Sequence, residues 1–260
     1  MTDLIPADLL PAAHSEIRRV VGLRWPRVLA VALIAGAGVV NIGFAVTAGH
    51  ADPKGQPATG TATIGLYLAL AATALAAAIF GALGSGGEYR YGTLATAAQF
   101  IPNRDRLVTA KFAVTVGAAL AVAALVEVIG GGLLLGLGRG KFPVWGNLIG
   151  AFGGGLLAVV CWAVIGTALG MLVRTASGAV TMLLGWLVVV EPLVWLVAGK
   201  AGAGGVVALL PGSATIGTVA VGSFAKSPLI APTPAAIVVL VCWAAAMATG
   251  AWWTVRRGEM

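Results

Sequence analysis

The stretch GQPATGTATIGLYLALAATALAAAIFGALGSGG, residues 55–87, carries no charged side chain along its whole length. A membrane-spanning α-helix needs about 20 consecutive apolar residues, because the helix rises about 1.5 Å per residue and the hydrocarbon core is about 30 Å thick. This stretch is long enough to cross a membrane. It therefore predicts a spanning helix over residues 63–84.

Apolar runs of the same kind recur along the rest of the chain. We expect an all-α integral membrane protein formed as one domain over residues 1–260. Many of its glycines lie inside these runs, where small residues let helices approach closely. The six predicted membrane helices cover residues 27–48, 63–84, 109–137, 148–172, 177–198 and 235–255.

Composition supports the same class of protein. Of the 260 residues, 59% are hydrophobic and 10% are charged, and the mean hydropathy is +0.99. A soluble domain usually has about 25% charged residues, so this chain has too few polar side chains for a water-facing surface. Its two cysteines lie in apolar runs and are typical of small hydrophobic residues rather than of a disulfide.

The net charge of +7 predicts an orientation in the membrane. With six spans and a cytoplasmic N-terminus, most Lys and Arg residues fall on the inner side, as they do in membrane proteins generally. We expect a multi-pass protein of the bacterial plasma membrane with both termini in the cytoplasm and no nucleic-acid partner. The first apolar run is expected to be a retained anchor, although Ala51 is a weak candidate for signal-peptide cleavage.

Two further segments lie outside the regular spans. In HSEIRRVVGLRW, residues 14–25, the apolar side chains favour one helical face, which predicts an amphipathic interfacial helix within residues 1–26. The alternative is a disordered basic lead. Residues 202–225 are uncharged, but LLPGSA interrupts them with Pro211, Gly212 and Ser213. We expect a re-entrant or interfacial segment within residues 199–234, and the alternative is a seventh span.

The most highly charged segment between the apolar runs is EYRYGTLATAAQFIPNRDR, residues 88–106. Gly84, Gly86 and Gly87 are expected to end the second helix, and a short helix is expected to start near Thr93 and to stop at Pro102. On the inner face of the membrane, the segment at residues 85–108 would suit a groove on a soluble partner. The alternative is a solvated loop whose arginines meet lipid phosphates.

The sequence GEYRYGTLATAAQFIPNRDRLVTAK resembles the segment after the second helix of type-2 ATP-binding cassette (ABC) transporter permeases, especially actinobacterial ones. The order of motif residues is similar, as are the six spans, the amphipathic N-terminal helix and the LLPGSA break. The resemblance covers the chain by architecture, and its motif content is concentrated in this segment. Ionisable residues inside the third and fifth helices depart from the best-known members.

The resemblance implies the membrane subunit of an exporter that forms its pathway with a second identical or related permease. Two separate ATPase subunits would bind ATP and Mg²⁺, and the cytoplasmic segment would dock on them. This chain has no G-x-x-x-x-G-K-[ST] phosphate loop, so we expect no enzymatic activity and no cofactor of its own. The ATPase-coupling residues implied are Glu88, Tyr89, Arg90, Gly92, Thr93, Pro102, Arg104 and Arg106.

Two carboxylates fall inside predicted spans, Glu127 in the third and Glu191 in the fifth. Such groups are costly in a membrane and usually face protein or water, so they and Trp186 are candidate pathway or substrate residues. The alternative is solvation near the outer interface or pairing with Arg139 or Lys141. No His, Cys or acidic cluster has the spacing of a metal site.

These carboxylates support an alternative function, an ATP-independent proton-coupled transporter using Glu127 and Glu191. A membrane-embedded enzyme or assembly factor is a third class, for which no catalytic set is visible. The apolar helices favour a lipophilic drug, a lipid or a lipid-linked molecule as the substrate. The resemblance favours export, and import is the alternative.

Overall fold

The structure is a computed structural model that describes residues 9–49, 59–91, 104–138, 140–141, 145–224 and 227–257. The described residues form helices and short connections, without strands. A 3-10 turn at Thr61–Thr63 precedes α3, and a π-helical turn at Trp186–Val190 joins α6 to α7. The α-helices are α1 Leu9–Gly22, α2 Arg24–Thr47, α3 Ile64–Tyr91, α4 Arg104–Leu137, α5 Trp145–Val173, α6 Ala176–Gly185, α7 Glu191–Lys200, α8 Gly204–Ala208, α9 Pro211–Val219 and α10 Thr233–Arg257.

Six helical units in the described ranges are long and apolar enough to cross a membrane. They are α2, α3, α4, α5, the continuous α6–α7 unit and α10. The all-α fold and the six predicted spans are therefore confirmed at this level. An even number of crossings would bring the start of α2 and the end of α10 to the same side of a membrane.

The helices α3 and α5 form the centre of the bundle. In their most apolar windows 56% and 67% of residues are buried, against 11–22% in the other four units. Glycine makes this contact close, since a Cβ on Gly166 would lie 2.6 Å from Ala78 Cα and one on Gly170 would lie 2.7 Å from Ala82 O. The predicted glycine packing thus occurs within the chain, between α5 and α3.

The second helix is longer than predicted. Gly84, Gly86 and Gly87 do not end it, because α3 continues to Tyr91. Gly86 instead meets the turn between α5 and α6, where a Cβ would lie 2.7 Å from the Ala176 nitrogen. The glycine is needed there for a tight contact rather than for a helix end. The helix α4 also begins earlier than predicted, at Arg104.

The segment at residues 202–225 does not form one helix where it is described. It contains α8 and α9, of 5 and 9 residues, with a break just before Pro211. Nine residues rise only about 14 Å, which is less than half of the hydrocarbon thickness. Pro211 begins α9, where its missing N–H leaves no intrahelical bond unmade. The described part of this segment therefore holds no seventh spanning helix.

Polar contacts fix the two ends of the bundle. Trp252 Nε1 donates a 2.9 Å hydrogen bond to Asp105 Oδ1, and Arg256 Nη2 lies 3.5 Å from Asp105 Oδ2. These contacts join the end of α10 to the start of α4. At the opposite end of the bundle, Lys141 follows the C-terminus of α4, and its Nζ donates a 2.7 Å hydrogen bond to Ala45 O near the end of α2.

Candidate functional site

Four charged side chains from three helices meet at the end of the bundle that holds the start of α4. Glu16 and Arg19 come from α1, Glu88 from α3 and Lys111 from α4, and we call them the charge cluster. Glu88 and Lys111 are only 6% and 3% exposed. The Glu88 carboxylate forms ion pairs with both Arg19 and Lys111.

Every member of the charge cluster has more than one partner. Glu16 lies 3.3 Å from Lys111 Nζ and 3.6 Å from Arg19 Nη1. Arg19 Nη2 also donates a 2.6 Å hydrogen bond to Gly84 O on α3. Burying a charge is costly unless it is paired and hydrogen-bonded. Two acids and two bases that share partners satisfy this condition and hold α1 against α3 and α4.

The charge cluster includes one residue before and one residue after the segment at residues 92–103. Glu88 precedes this segment near the end of α3, and Lys111 follows it in the second turn of α4. The segment itself, with Gly92, Thr93, Pro102 and the expected short helix, is outside the described residues.

The resemblance implies that Glu88 takes part in ATPase coupling, which stays a prediction. In this structure the Glu88 carboxylate is enclosed by partners from its own chain. Sequence reasoning did not pair it with Glu16, Arg19 or Lys111. The available signal was the presence of ionisable residues close to the ends of otherwise apolar helices.

The other predicted coupling residues are placed only in part. The Tyr89 ring lies beneath the Arg174 guanidinium, with 5.7 Å from Cζ to the ring centroid. Arg174 forms the turn between α5 and α6 with a left-handed φ of 59°. Arg106 is half-buried in the first turn of α4. The side chains of Arg90 and Arg104 are outside the described part of the chain.

A second buried carboxylate joins α7 to α9. Glu191 is 5% exposed, and its Oε1 accepts hydrogen bonds from Gly212 N at 2.8 Å and Trp186 Nε1 at 3.0 Å. Gly212 is in the first turn of α9, where backbone N–H groups lack intrahelical partners and the helix dipole favours an anion. Glu191 thus acts as the N-terminal cap of α9.

The π-helical turn before Glu191 sets its direction. Glu191 N–H bonds to Trp186 O, which closes the wider turn, and Pro192 follows without a donor of its own. The carboxylate lies beside an open groove of about 590 Å³. The predicted residues Trp186, Glu191, Pro211 and Gly212 therefore come together here. The groove is lined by Leu187, Glu191, Pro192, Trp195, Leu196, Gly212 and Ile216.

Ser213 is also enclosed near this cap, at 0% exposure. Its hydroxyl oxygen has no hydrogen-bond partner among the described residues.

Glu127 lies in a different part of the bundle. Its Oε1 is buried and has no hydrogen-bond partner among the described residues. It faces α5, since a Cβ on Gly155 would lie 3.0 Å from this oxygen. Lys141, one of its expected partners, donates to Ala45 O instead. Arg139, the other, is outside the described residues.

No group of three or more His, Cys, Asp or Glu residues in the described ranges could hold a metal ion. No family model matches the chain, and no curated protein matches it.

Proposed function

We propose that this chain is the membrane-spanning permease subunit of an ABC exporter, driven by separate ATPase subunits. The observation that carries the proposal is the charge cluster, whose Glu88 and Lys111 lie on either side of residues 92–103 in the sequence. This segment and the residues on either side of it carry the motif that resembles the ATPase-docking segment of type-2 permeases. Its neighbours Glu88 and Lys111 are bound to each other and to α1.

The arrangement suits transmission of a movement. An ATPase that closes on ATP would displace the segment at residues 92–103, and the buried ion pairs would carry that displacement into α3 and α4. Because α3 is packed on α5 with glycine contacts, the centre of the bundle would move with it. Glu88 then connects α3 to α1 and α4 within this chain, while the contacts to the ATPase come from the segment and from Arg90 and Arg104 on either side of it.

The same proposal assigns an orientation. The end of the bundle with the charge cluster faces the cytoplasm of a bacterial cell, and α1 lies in the inner headgroup layer of the plasma membrane. Arg19, Arg174 and Arg256 all make contacts at this end, which agrees with the cytoplasmic bias of basic residues. The helices α8 and α9 form the re-entrant or interfacial segment on the outer side.

The functional complex would contain a second copy of this permease or a related one. ATP and Mg²⁺ bind the ATPase partners, since this chain has no phosphate loop of its own. The apolar composition and the absence of a large outer hydrophilic segment favour a lipophilic drug, lipid or lipid-linked molecule as the exported substrate.

Co-purification tests this proposal. The chain would be co-expressed with ABC ATPases from the same genome, and co-elution and ATPase stimulation would be measured. The variant Arg90→Glu/Arg104→Glu reverses the charges on either side of residues 92–103 and is expected to abolish the complex. Arg257→Glu, an exposed charge reversal near the end of α10, is the matched control and should leave the complex intact. Failure of the wild-type chain to bind any ATPase would overturn the proposal.

Glu127 supports a second candidate, an ATP-independent proton-coupled transporter. Its buried Oε1 lacks a partner among the described residues, as expected of a carboxylate that gains and loses a proton during transport. Proteoliposomes containing this chain alone would be given a pH gradient. Substrate movement that needs the gradient and disappears in Glu127→Gln would favour this candidate over the exporter.

A further inference from the structure

An apolar pocket of about 260 Å³ lies between α1, α2, α3 and α4. It is on the same side of the bundle as the charge cluster, because Val21 of α1 and Arg27 in the first turn of α2 line it. From Arg27 to Leu33 the pocket follows seven residues of α2, whose six rises add up to roughly 9 Å along the helix axis. It therefore runs from the end of the bundle that holds the charge cluster toward the middle of the bundle.

The interior of the pocket has almost no polar chemistry. Its walls include Leu33, Ala77, Phe80 and Ala118. Thr73 also lines it, but its hydroxyl donates a 2.7 Å hydrogen bond to Ala69 O in its own helix. An apolar cavity of ~150 Å³ stays dry and takes up a small apolar molecule. The larger pocket here is therefore suited to a hydrocarbon rather than to water or a polar solute.

The rim of the pocket is cationic. Arg27 is exposed and lines the pocket, and Arg24 is exposed one turn earlier in the same helix. A guanidinium presents five N–H donors in a planar fork that matches a phosphate. The apolar surface continues beyond the rim, because Val21 and Val28 are 63% and 66% exposed. An occupant with an anionic phosphate head and a hydrocarbon tail would match both parts.

We propose that this pocket binds an anionic phospholipid, with one acyl chain between α2, α3 and α4 and its phosphate on Arg27 and Arg24. The site depends only on the chain lying in a membrane, so it is independent of the proposed ATPase coupling. Because α1 forms part of the wall and also carries Glu16 and Arg19, the lipid would support the position of the charge cluster from the membrane side.

The test uses the full chain in detergent and measures bound lipid by native mass spectrometry. Phosphatidylglycerol and phosphatidylcholine with the same acyl chains would be titrated separately. Arg27→Gln should weaken phosphatidylglycerol binding about fivefold, the effect of one basic residue near an anionic lipid. Arg257→Gln, also exposed, is its control.

A second pair of variants tests the acyl chain. Ala118→Phe fills the pocket from α4, and Ala113→Phe adds the same side chain at an exposed position of that helix. We expect Ala118→Phe to lose the bound lipid and Ala113→Phe to retain it, with similar unfolding temperatures.

Besides an unchanged lipid preference in Arg27→Gln, three results would overturn the proposal. They are equal binding of the two lipids by the unaltered chain, equal lipid binding by Ala118→Phe and Ala113→Phe, and displacement of the lipid by millimolar inorganic phosphate. The last result would mean that the arginines bind phosphate without an acyl chain. If Ala118→Phe does not fold, the Arg27→Gln comparison still decides, because an unchanged preference for phosphatidylglycerol in that variant would contradict the site.

Discussion

Glu191 fixes the start of α9 through Gly212, whose backbone N–H donates a 2.8 Å hydrogen bond to the Glu191 carboxylate. The two residues lie 21 positions apart, on either side of α8. This contact attaches the short helix α9 to the fifth span. It also explains why a carboxylate is kept at a buried position there.

Gly212→Ala should destabilise the protein. A Cβ at this position would lie 2.9 Å from Glu191 Cδ and would overlap the carboxylate oxygens. Overpacking of this kind costs about 1–3 kcal/mol, so the thermal unfolding midpoint in detergent should fall. Gly205→Ala is the matched control in α8, where a Cβ meets nothing within 4 Å. Equal midpoints for the two variants would contradict the tight contact.

Replacement of Glu191 separates a cap from a substrate-binding residue. Glu191→Gln keeps an oxygen that accepts the bonds from Gly212 and Trp186, whereas Glu191→Leu leaves both donors unpaired. Each buried unpaired donor costs about 1–3 kcal/mol, so Leu should lower the unfolding midpoint more than Gln does. Unchanged stability in both variants with lost transport would instead assign Glu191 to the substrate.

The charge cluster should respond more strongly to loss of Glu88 than to loss of Glu16. Glu88→Ala leaves Lys111, which is 3% exposed, without its principal partner, and breaking a buried pair costs about 3–5 kcal/mol. The Glu16 contacts are longer, at 3.3 and 3.6 Å, so Glu16→Ala should cost less. Thermal unfolding of the purified variants measures both.

A double variant checks the coupling within this cluster. Glu88→Leu/Lys111→Met removes both charges and should be more stable than Glu88→Ala, because it leaves no Lys111 charge without its carboxylate, and Glu16 and Arg19 remain paired with each other. If Glu88→Ala and Glu16→Ala unfold at the same temperature, the burial of the Glu88 pair is not what holds α1 in place.

Gly166→Ala should disturb the centre of the bundle. A Cβ there would lie 2.6 Å from Ala78 Cα, and this neighbour is backbone that can move only with α3. We expect a loss of roughly 1–3 kcal/mol or more and a lower unfolding midpoint. Gly153→Ala on the same helix has nothing within 4 Å of the new Cβ and should unfold like the unaltered chain.

The spans could be predicted because each depends on a local property. A helix of about 20 consecutive apolar residues is long enough to cross the hydrocarbon core of a membrane, whatever its position in the bundle. The predicted end of α3 was wrong because it depends on a distant contact rather than on a local property. Glycines usually weaken or end a helix, but Gly86 lies where the α5–α6 turn approaches α3, and that contact depends on residues about 90 positions away.

The candidate site was predicted only in part. Glu88 and Glu191 stood out as charges beside or within apolar runs, which is a feature of the sequence alone. Their partners did not stand out, since Arg19 lies 69 positions before Glu88 by residue number and is one arginine among several near the start of α2. Sequence spacing within a helix indicates which residues share a face, but it does not indicate which face of another helix they meet.

The all-α class and the six helices able to cross a membrane follow from hydropathy alone, because hydropathy acts on each segment separately. The enclosure of Glu88 by Arg19 and Lys111, and the capping of α9 by Glu191, became visible only once the helices were packed together. Both arrangements follow from the cost of a buried charge. That cost requires a partner but does not specify one, and the choice is made by the helices that packing brings together.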